Sequence, residues 1–217
     1  MATTDENGKI ITIAQQKGGS GKTTLAANLA VSLARDGKRS VAVLDTDPQG
    51  SLGRWAMIRE EQHGENLPNV SLKTASAWGA RYEARGLAKD FDYVIIDTPP
   101  KMDIDGRPSI EIADLVVVPV TPSEMDIWAT MPTLELVQGS KKEHLIVLNR
   151  INPRTNLAQH IRDEIEKSDF KLAKSEIRHR VAYADVIGRG LSVLETRAAK
   201  SAHQEIKALT KEIERLV

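Results

Sequence analysis

The strongest chemical signal in the chain is Lys17-Gly18-Gly19-Ser20-Gly21-Lys22-Thr23-Thr24. Glycines at this density let successive backbone N–H groups turn inward around a phosphate. A helix that starts at the end of the run adds partial positive charge from its N-terminus. Lys22 can reach β- and γ-phosphates, and Thr23 can place its hydroxyl on Mg²⁺. The usual pattern, G-x-x-x-x-G-K-[ST], opens with glycine where this chain has Gln16, and Lys17 is an additional cation inside the loop. Gly18, Gly19, Ser20, Gly21, Lys22, Thr23 and Thr24 are therefore the candidate phosphate cradle. The competing reading is a glycine-rich turn that binds nothing. Two lysines flanking three glycines between a strand and a helix argue against it.

Three carboxylates complete the set: Asp45 and Asp47 after one apolar run, Asp97 after another. A nucleoside triphosphate needs Mg²⁺, which is held by few carboxylates plus water. One carboxylate can serve the metal's water shell while another orients an attacking water. Asp47-Pro48 also reads as a helix cap or turn, and Asp97 as a turn before Pro99-Pro100, since Asp and Pro favour both. The cradle weakens those readings, because all three carboxylates fall at the same edge of the expected sheet.

The elements that must position these groups are legible as short β-branched runs. Lys9–Ala14, Ser40–Leu44, Tyr93–Ile96, Leu115–Val120 and Leu145–Leu148 read as buried strands, and Val70–Leu72 as a short one. Leu25–Ala34 suits a buried helix ended by Gly37. A further helix carries Leu52, Trp55 and Ile58 on one side, and Ala75–Lys89 is helical in composition. Ile206, Leu209, Ile213 and Leu216 give Thr196–Val217 an amphipathic pattern. Strands apolar on both faces alternating with helices predict an α/β fold: a mostly parallel, doubly wound twisted sheet with helices on both faces. Residues 1–8 are expected to be a flexible tail, and 9–217 a single domain.

Composition narrows the function. The 217 residues carry 30 basic and 30 acidic side chains, so no whole-protein field is built for nucleic acid. Three Trp, three Tyr and two Phe are too few for a surface that stacks single-stranded bases. There is no cysteine, so thiolate zinc sites and iron–sulfur clusters are excluded. Met1–Lys9 is polar, with no apolar stretch for a signal peptide, and Leu115–Val120 is far short of a membrane span. These features predict cytoplasmic residence.

Gln16–Thr24 resembles the deviant Walker A motif of the ParA/MinD ATPases, P-loop NTPases by fold. Val43–Ser51 is similar to that family's second motif, Tyr93–Pro100 to its Walker B, and Val118–Ser123 to a further family segment. The small size, the Trp55 region and Glu195–Val217 resemble the compact plasmid-partition branch, the ParF type. The resemblance implies ATP and Mg²⁺ as cofactors and slow, partner-stimulated hydrolysis. It implies that Lys17 reaches across an ATP-bound homodimer to the partner's phosphates. Lys22 and Thr23 serve phosphates and metal in their own subunit, Asp47 positions the hydrolytic water, and Asp45 and Asp97 support the metal shell. A cation supplied by the second chain couples dimerisation to the triphosphate. Asn149-Arg150 resembles a strand-ending pair that helps hold adenine; Asn149 reads equally as a residue that opens a loop.

ParA-type dimers bind duplex DNA without sequence preference through basic side chains. Lys171, Lys174, Arg178, Arg180 and Arg189 are the candidate contacts; Lys171–Lys200 carries seven basic residues against three acidic, a net of +4. In the absence of the resemblance a solvated face is the commoner explanation of such a stretch; the resemblance reverses that order. Lys200–Arg215 lacks aromatic anchors and a strongly basic face, so no membrane partner is expected. The resemblance thus predicts a nucleoid-associated ATPase that segregates a plasmid or chromosome partition complex, with a ParB-like or other cargo adaptor. The alternatives are an orphan ParA-like ATPase positioning a protein cluster or microcompartment, and a metabolic P-loop ligase of the dethiobiotin-synthetase sort.

Overall fold

The structure, a computed structural model, describes residues 8–64, 67–100 and 106–217. Seven parallel strands form one sheet. In chain order they are β1 (Lys9–Ile13), β2 (Val41–Asp45), β3 (Ser71–Thr74), β4 (Tyr93–Asp97), β5 (Leu115–Val120), β6 (Glu143–Ile151) and β7 (Ile177–Arg178). Their spatial order is β3-β2-β4-β1-β5-β6-β7. The helices are α1 (Lys22–Ala34), α2 (Ser51–His63), α3 (Ala80–Asp90), α4 (Arg107–Ile112), α5 (Glu124–Gly139), α6 (Asn156–Glu166), α7 (Val181–Ile187) and α8 (Lys200–Ile213). Of the expected tail 1–8, residues 1–7 lie outside the described residues, and the Gly8 N–H donates to the Ala88 carbonyl.

Alternation along each strand decides which helices cover which face. Ile11 and Ile13 of β1 join Val41, Val43, Ile95, Val117 and Val147 in a core covered by α1, α2, α7 and α8. Ile10 turns to the other face with Ala42, Leu44, Val94 and Ile96, against Ala84, Leu87 and Ala88 of α3. Val116, Val118, Ile146 and Leu148 continue that second face under α4, α5 and α6. Both faces are dry, which is why the strands read as unbroken apolar runs rather than as alternating ones.

Strand register builds the site edge. Ile13 lies opposite Asp97, and Asp97 lies opposite Asp45. The loop leaving β1 and the carboxylates ending β2 and β4 therefore emerge side by side. The chain runs from β1 to the β2 side, returns through β4 and crosses to β5 on the far side of β1. Open α/β sheets bind ligands at such a reversal, beyond the carboxyl ends of the strands.

The expected C-terminal amphipathic stretch divides into a 3-10 turn at Arg197–Ala199 and α8. Ala202, Ile206, Leu209 and Ile213 are fully buried against the body, and the Thr210 hydroxyl donates to Ser32 of α1 at 2.8 Å. At about 1.5–3 kcal/mol per buried Leu or Ile, that face is committed to the core. Among the described residues no helix is long and apolar enough to cross a membrane. The Ala75–Lys89 helix begins only at Ala80, after Gly79 at its N-cap. In α2, Leu52 and Trp55 are buried as expected, whereas Arg59 is more deeply buried than Ile58.

Candidate functional site

The phosphate loop joins β1 to α1. Gly19 and Gly21 have φ of 77° and 89°, the left-handed region in which a Cβ is strained. A Cβ on Gly21 would also meet Asn149 Nδ2 at 2.4 Å, so that position needs glycine for space as well as conformation. The loop is tethered from behind by α5. Gln15 Nε2 donates to Thr130 Oγ1 at 2.8 Å and to the Pro119 carbonyl at 3.2 Å, and the Gln16 N–H donates to Thr133 Oγ1 at 3.2 Å. Lys22 is buried at 7% exposure, and its Nζ donates to the Gln15 carbonyl at 2.9 Å. Burial lowers its pKa, opposed by the nearby Asp97 and Asp47 carboxylates. Lys17 is half-buried in the loop, and its backbone N–H donates to Gln15 Oε1 at 3.3 Å.

Each carboxylate is held differently. Asp97 is 1% exposed, and its Oδ2 accepts the Thr23 hydroxyl at 2.6 Å. Burial pushes its carboxyl up to about 7, with repulsion from Asp45 and Asp47 adding to the rise; the Thr23 hydrogen bond and the Lys22 charge oppose it. Asp45 Oδ1 accepts the Asp47 N–H at 3.0 Å and Oδ2 accepts the Gly53 N–H at 2.8 Å. Asp45 thus shapes the turn that presents Asp47 and fastens the first turn of α2. Burial raises its pKa against those backbone bonds. Asp47 is half-buried and accepts the Gln49 N–H at 2.9 Å.

Among the described residues two buried side-chain atoms lack a hydrogen-bond partner: Asp97 Oδ1 and Ser20 Oγ. Buried polar atoms are rarely left so, and both belong to the cradle and its carboxylate edge. Mg²⁺ and phosphate oxygens are the partners this donor set fits: a threonine hydroxyl, one carboxylate and a buried lysine at a helix N-terminus. No cluster of three or more His, Asp or Glu that could hold a metal is present among the described residues. A cation here would rest on Thr23, Asp97, water and the phosphates themselves.

Asn149 is placed at the loop but turned to the protein. Its Nδ2 donates to the Ser20 carbonyl at 2.7 Å and its Oδ1 accepts the Arg150 N–H at 3.0 Å. It ties the end of β6 to the phosphate loop, leaving one amide N–H for a ligand. Beside it opens a cavity of about 400 Å³, lined by Gly21, Thr24, Asn149, Arg180, Val181 and Tyr183 among others. It shares two residues with the cradle and is where a base attached to cradle-bound phosphates would lie.

The five basic candidates do not form one free patch. Lys171 pairs with Glu143 at 2.8 Å and Arg189 with Asp185 at 3.4 Å. Lys174 is exposed, and its backbone N–H donates to Glu212. Arg180 is held by Glu205 at 2.6 Å, and Arg178 lies 3.9 Å from the same carboxylate. Arg150, expected beside Asn149 in a pair that helps hold adenine, and Arg154, which the sequence reading passed over, are exposed and have no ion pair among the described residues. With Arg178 and His179 they line a second cavity of about 670 Å³ onto which the N-terminus of α6 opens at Thr155. Gln15, Thr130, Thr133 and Glu205 were likewise passed over. Their only sequence trace is the spacing of the two threonines by three on a helix.

This fold and this cradle define a P-loop nucleotide-binding protein. The profile of the CobQ/CobB/MinD/ParA nucleotide binding domain matches residues 11–193, and the chain belongs to that family. Within it, the two-lysine loop marks a deviant Walker A ATPase of the ParA/MinD type. The maintenance of carboxysome distribution protein A of Halothiobacillus neapolitanus is 27% identical, over 94% of this chain and 95% of its own. The chromosome-partitioning ATPase Soj of Thermus thermophilus is 32% identical, over 71% of this chain and 74% of its own. Among solved structures, the septum site-determining protein MinD of Pyrococcus horikoshii, complexed with Mg-ADP, superposes with a TM-score of 0.80 at 19% identity, covering 96% of each chain. A variant of Cyanothece McdA in complex with ATP gives 0.75 at 20% identity, covering 97% of this chain and 96% of its own. These relatives do not single out the ParF-type branch expected from the sequence; they are carboxysome-distribution and chromosome-partition proteins together with MinD.

Proposed function

We propose that the chain is an ATP-driven dimerising switch that holds duplex DNA without sequence preference and positions a protein cargo, such as a microcompartment, on the nucleoid. The observation that carries this reading is the end-to-end match with carboxysome distribution proteins of two organisms, over 94% and 95% of this chain. The division of labour follows the geometry. Backbone N–H groups of Gly18–Thr24 and the Lys22 ammonium bind and orient the phosphates. Thr23 and Asp97 hold Mg²⁺, which supplies neutralisation of phosphate charge when bound. Asp47, set on the turn that Asp45 shapes, orients the attacking water. Lys17 reaches the phosphates of a second subunit. Placement and electrostatics, not covalent chemistry, carry the reaction.

DNA is held by Arg150, Arg154 and Arg178 around the α6 N-terminus, with Lys174 as a further contact. Duplication of that surface in the dimer ties DNA retention to ATP. A cargo adaptor speeds otherwise slow hydrolysis, and the ADP form leaves the DNA. The second reading, partition of a plasmid or chromosome complex, is favoured by the higher identity to Soj; it differs only in cargo.

ATPase activity measured with and without duplex DNA, beside sizing in ADP and in a non-hydrolysable ATP analogue, tests the switch. The expected result is a dimer in the analogue alone, retained on DNA in a salt-sensitive way. A monomer in both nucleotides, with a turnover that follows a small organic acid or amine and ignores DNA, would overturn it in favour of the metabolic ligase. Pull-down from cells separates the two cargoes: a shell or scaffold protein supports the first reading, a centromere-bound complex the second.

A further inference from the structure

We infer that Glu205, on α8, sets the base preference of the nucleotide cavity by fixing Arg180 and Tyr183 in its wall. Glu205 is remote in sequence from every motif of the site, and its side chain is 12% exposed. Its Oε1 accepts from Arg180 Nε at 3.0 Å and from the same guanidinium's NH2 at 2.6 Å. Its Oε2 accepts the Tyr183 hydroxyl at 3.0 Å and the Arg178 N–H at 3.3 Å. All three partners line the cavity that also contains Gly21, Thr24 and Asn149. One carboxylate therefore holds a wall of the space beside the phosphate cradle.

The chemistry of the two orders of bonding differs between bases. A guanidinium presented freely pairs bidentately with O6 and N7 of guanine, whereas adenine offers a donor at N6. Glu205 engages Nε and one terminal nitrogen of Arg180, so that edge of the guanidinium is withheld from a base in the cavity. The same pair raises the Arg180 pKa. The Tyr183 proton is committed to Glu205, which leaves the phenol oxygen as an acceptor alone. An acceptor suits the adenine amino group and opposes the guanine carbonyl. Given the nucleotide reading of the cradle, on which this rests, Glu205 selects adenine without touching it.

The test compares binding of ATP, GTP and inorganic tripolyphosphate, by displacement of a fluorescent nucleotide, in wild type, Glu205→Gln and the double variant Glu205→Gln/Arg180→Met. Wild type is expected to prefer ATP. Glu205→Gln frees the guanidinium, and the ATP:GTP preference should fall by about tenfold, the value of one bidentate base contact, with tripolyphosphate bound as before. The double variant, lacking the released fork, should recover the preference; that non-additivity is not expected of a residue that only joins α8 to α7. An unchanged ATP:GTP ratio in Glu205→Gln, or equal weakening of all three ligands, overturns the role of Glu205. A wild type that binds none of the three overturns the nucleotide reading itself. Should Glu205→Gln not fold by circular dichroism, Tyr183→Phe carries the test: a lowered ratio supports the oriented acceptor and an unchanged one refutes it.

Discussion

Asp97 sits between strain and function. Its buried carboxyl accepts one hydroxyl, from Thr23, and leaves Oδ1 without a partner among the described residues. Its pKa in the ligand-free fold is about 7, above the ordinary 3.8, with burial as the main cause. A carboxyl raised on folding favours the native state when protonated. Its contribution is fully present below the unfolded value and is lost as pH rises through about 7. Asp97→Asn is neutral at every pH. It should raise the nucleotide-free melting temperature above pH 7, by about 2–4 °C for each kcal/mol recovered. It should flatten the pH slope between 4 and 7 and abolish the Mg²⁺ dependence of nucleotide binding. Scanning fluorimetry across pH, with and without Mg-nucleotide, reads all three; an unchanged slope would remove Asp97 from the titration. Asp97 and the cradle were legible because their chemistry is encoded in spacing along one segment. The partners of Asn149 were not, because Ser20 meets it only through strand order, and an amide that could read a base looks the same in sequence as one that ties a loop.

At the scale of elements, α2 is fastened at both ends by charge. Asp45 accepts the Gly53 N–H at its start. Near its end the buried Arg59 donates to both oxygens of Glu195 at 2.7 and 2.9 Å, and also to the Gly190 and Pro68 carbonyls. Gly190 is held at a φ of 68°, and a Cβ there would lie 2.5 Å from the Arg59 nitrogen. Removing one partner strands a buried charge: Glu195→Gln should cost about 3–5 kcal/mol, whereas replacing both Arg59 and Glu195 by methionine should cost much less. Urea denaturation of the two variants checks the difference, and equal losses would refute the buried-charge account. The apolar stripe of α2 was visible as Leu52 and Trp55, but Arg59 reads in sequence as a solvent-facing residue. The short helices α4 and α7, of six and seven residues, escaped because two turns are too few for a 3.6-residue period to declare itself.

For the molecule as a whole, the second subunit is the element the sequence resemblance demands and one chain alone cannot display. Lys17→Ala should keep ATP binding, which rests on Lys22 and the glycines, and lose the nucleotide-dependent dimer and turnover. Light scattering in a non-hydrolysable analogue checks it; an intact dimer would exclude a cross-subunit lysine. The parallel sheet was legible from strands apolar on both faces. The order β3-β2-β4-β1-β5-β6-β7 was not, since connection length does not say on which side of β1 the next strand docks. That order has a consequence for biosynthesis. β1 is translated first yet lies innermost, and its two neighbours are Tyr93–Asp97 and Leu115–Val117. While it emerges from the ribosome it has no ladder to join, and the early half of the polypeptide stays open to misassociation and chaperone capture until the later strands arrive. A truncated product ending before Leu115 would keep the phosphate loop and all three carboxylates and still have no finished edge on which to hang them.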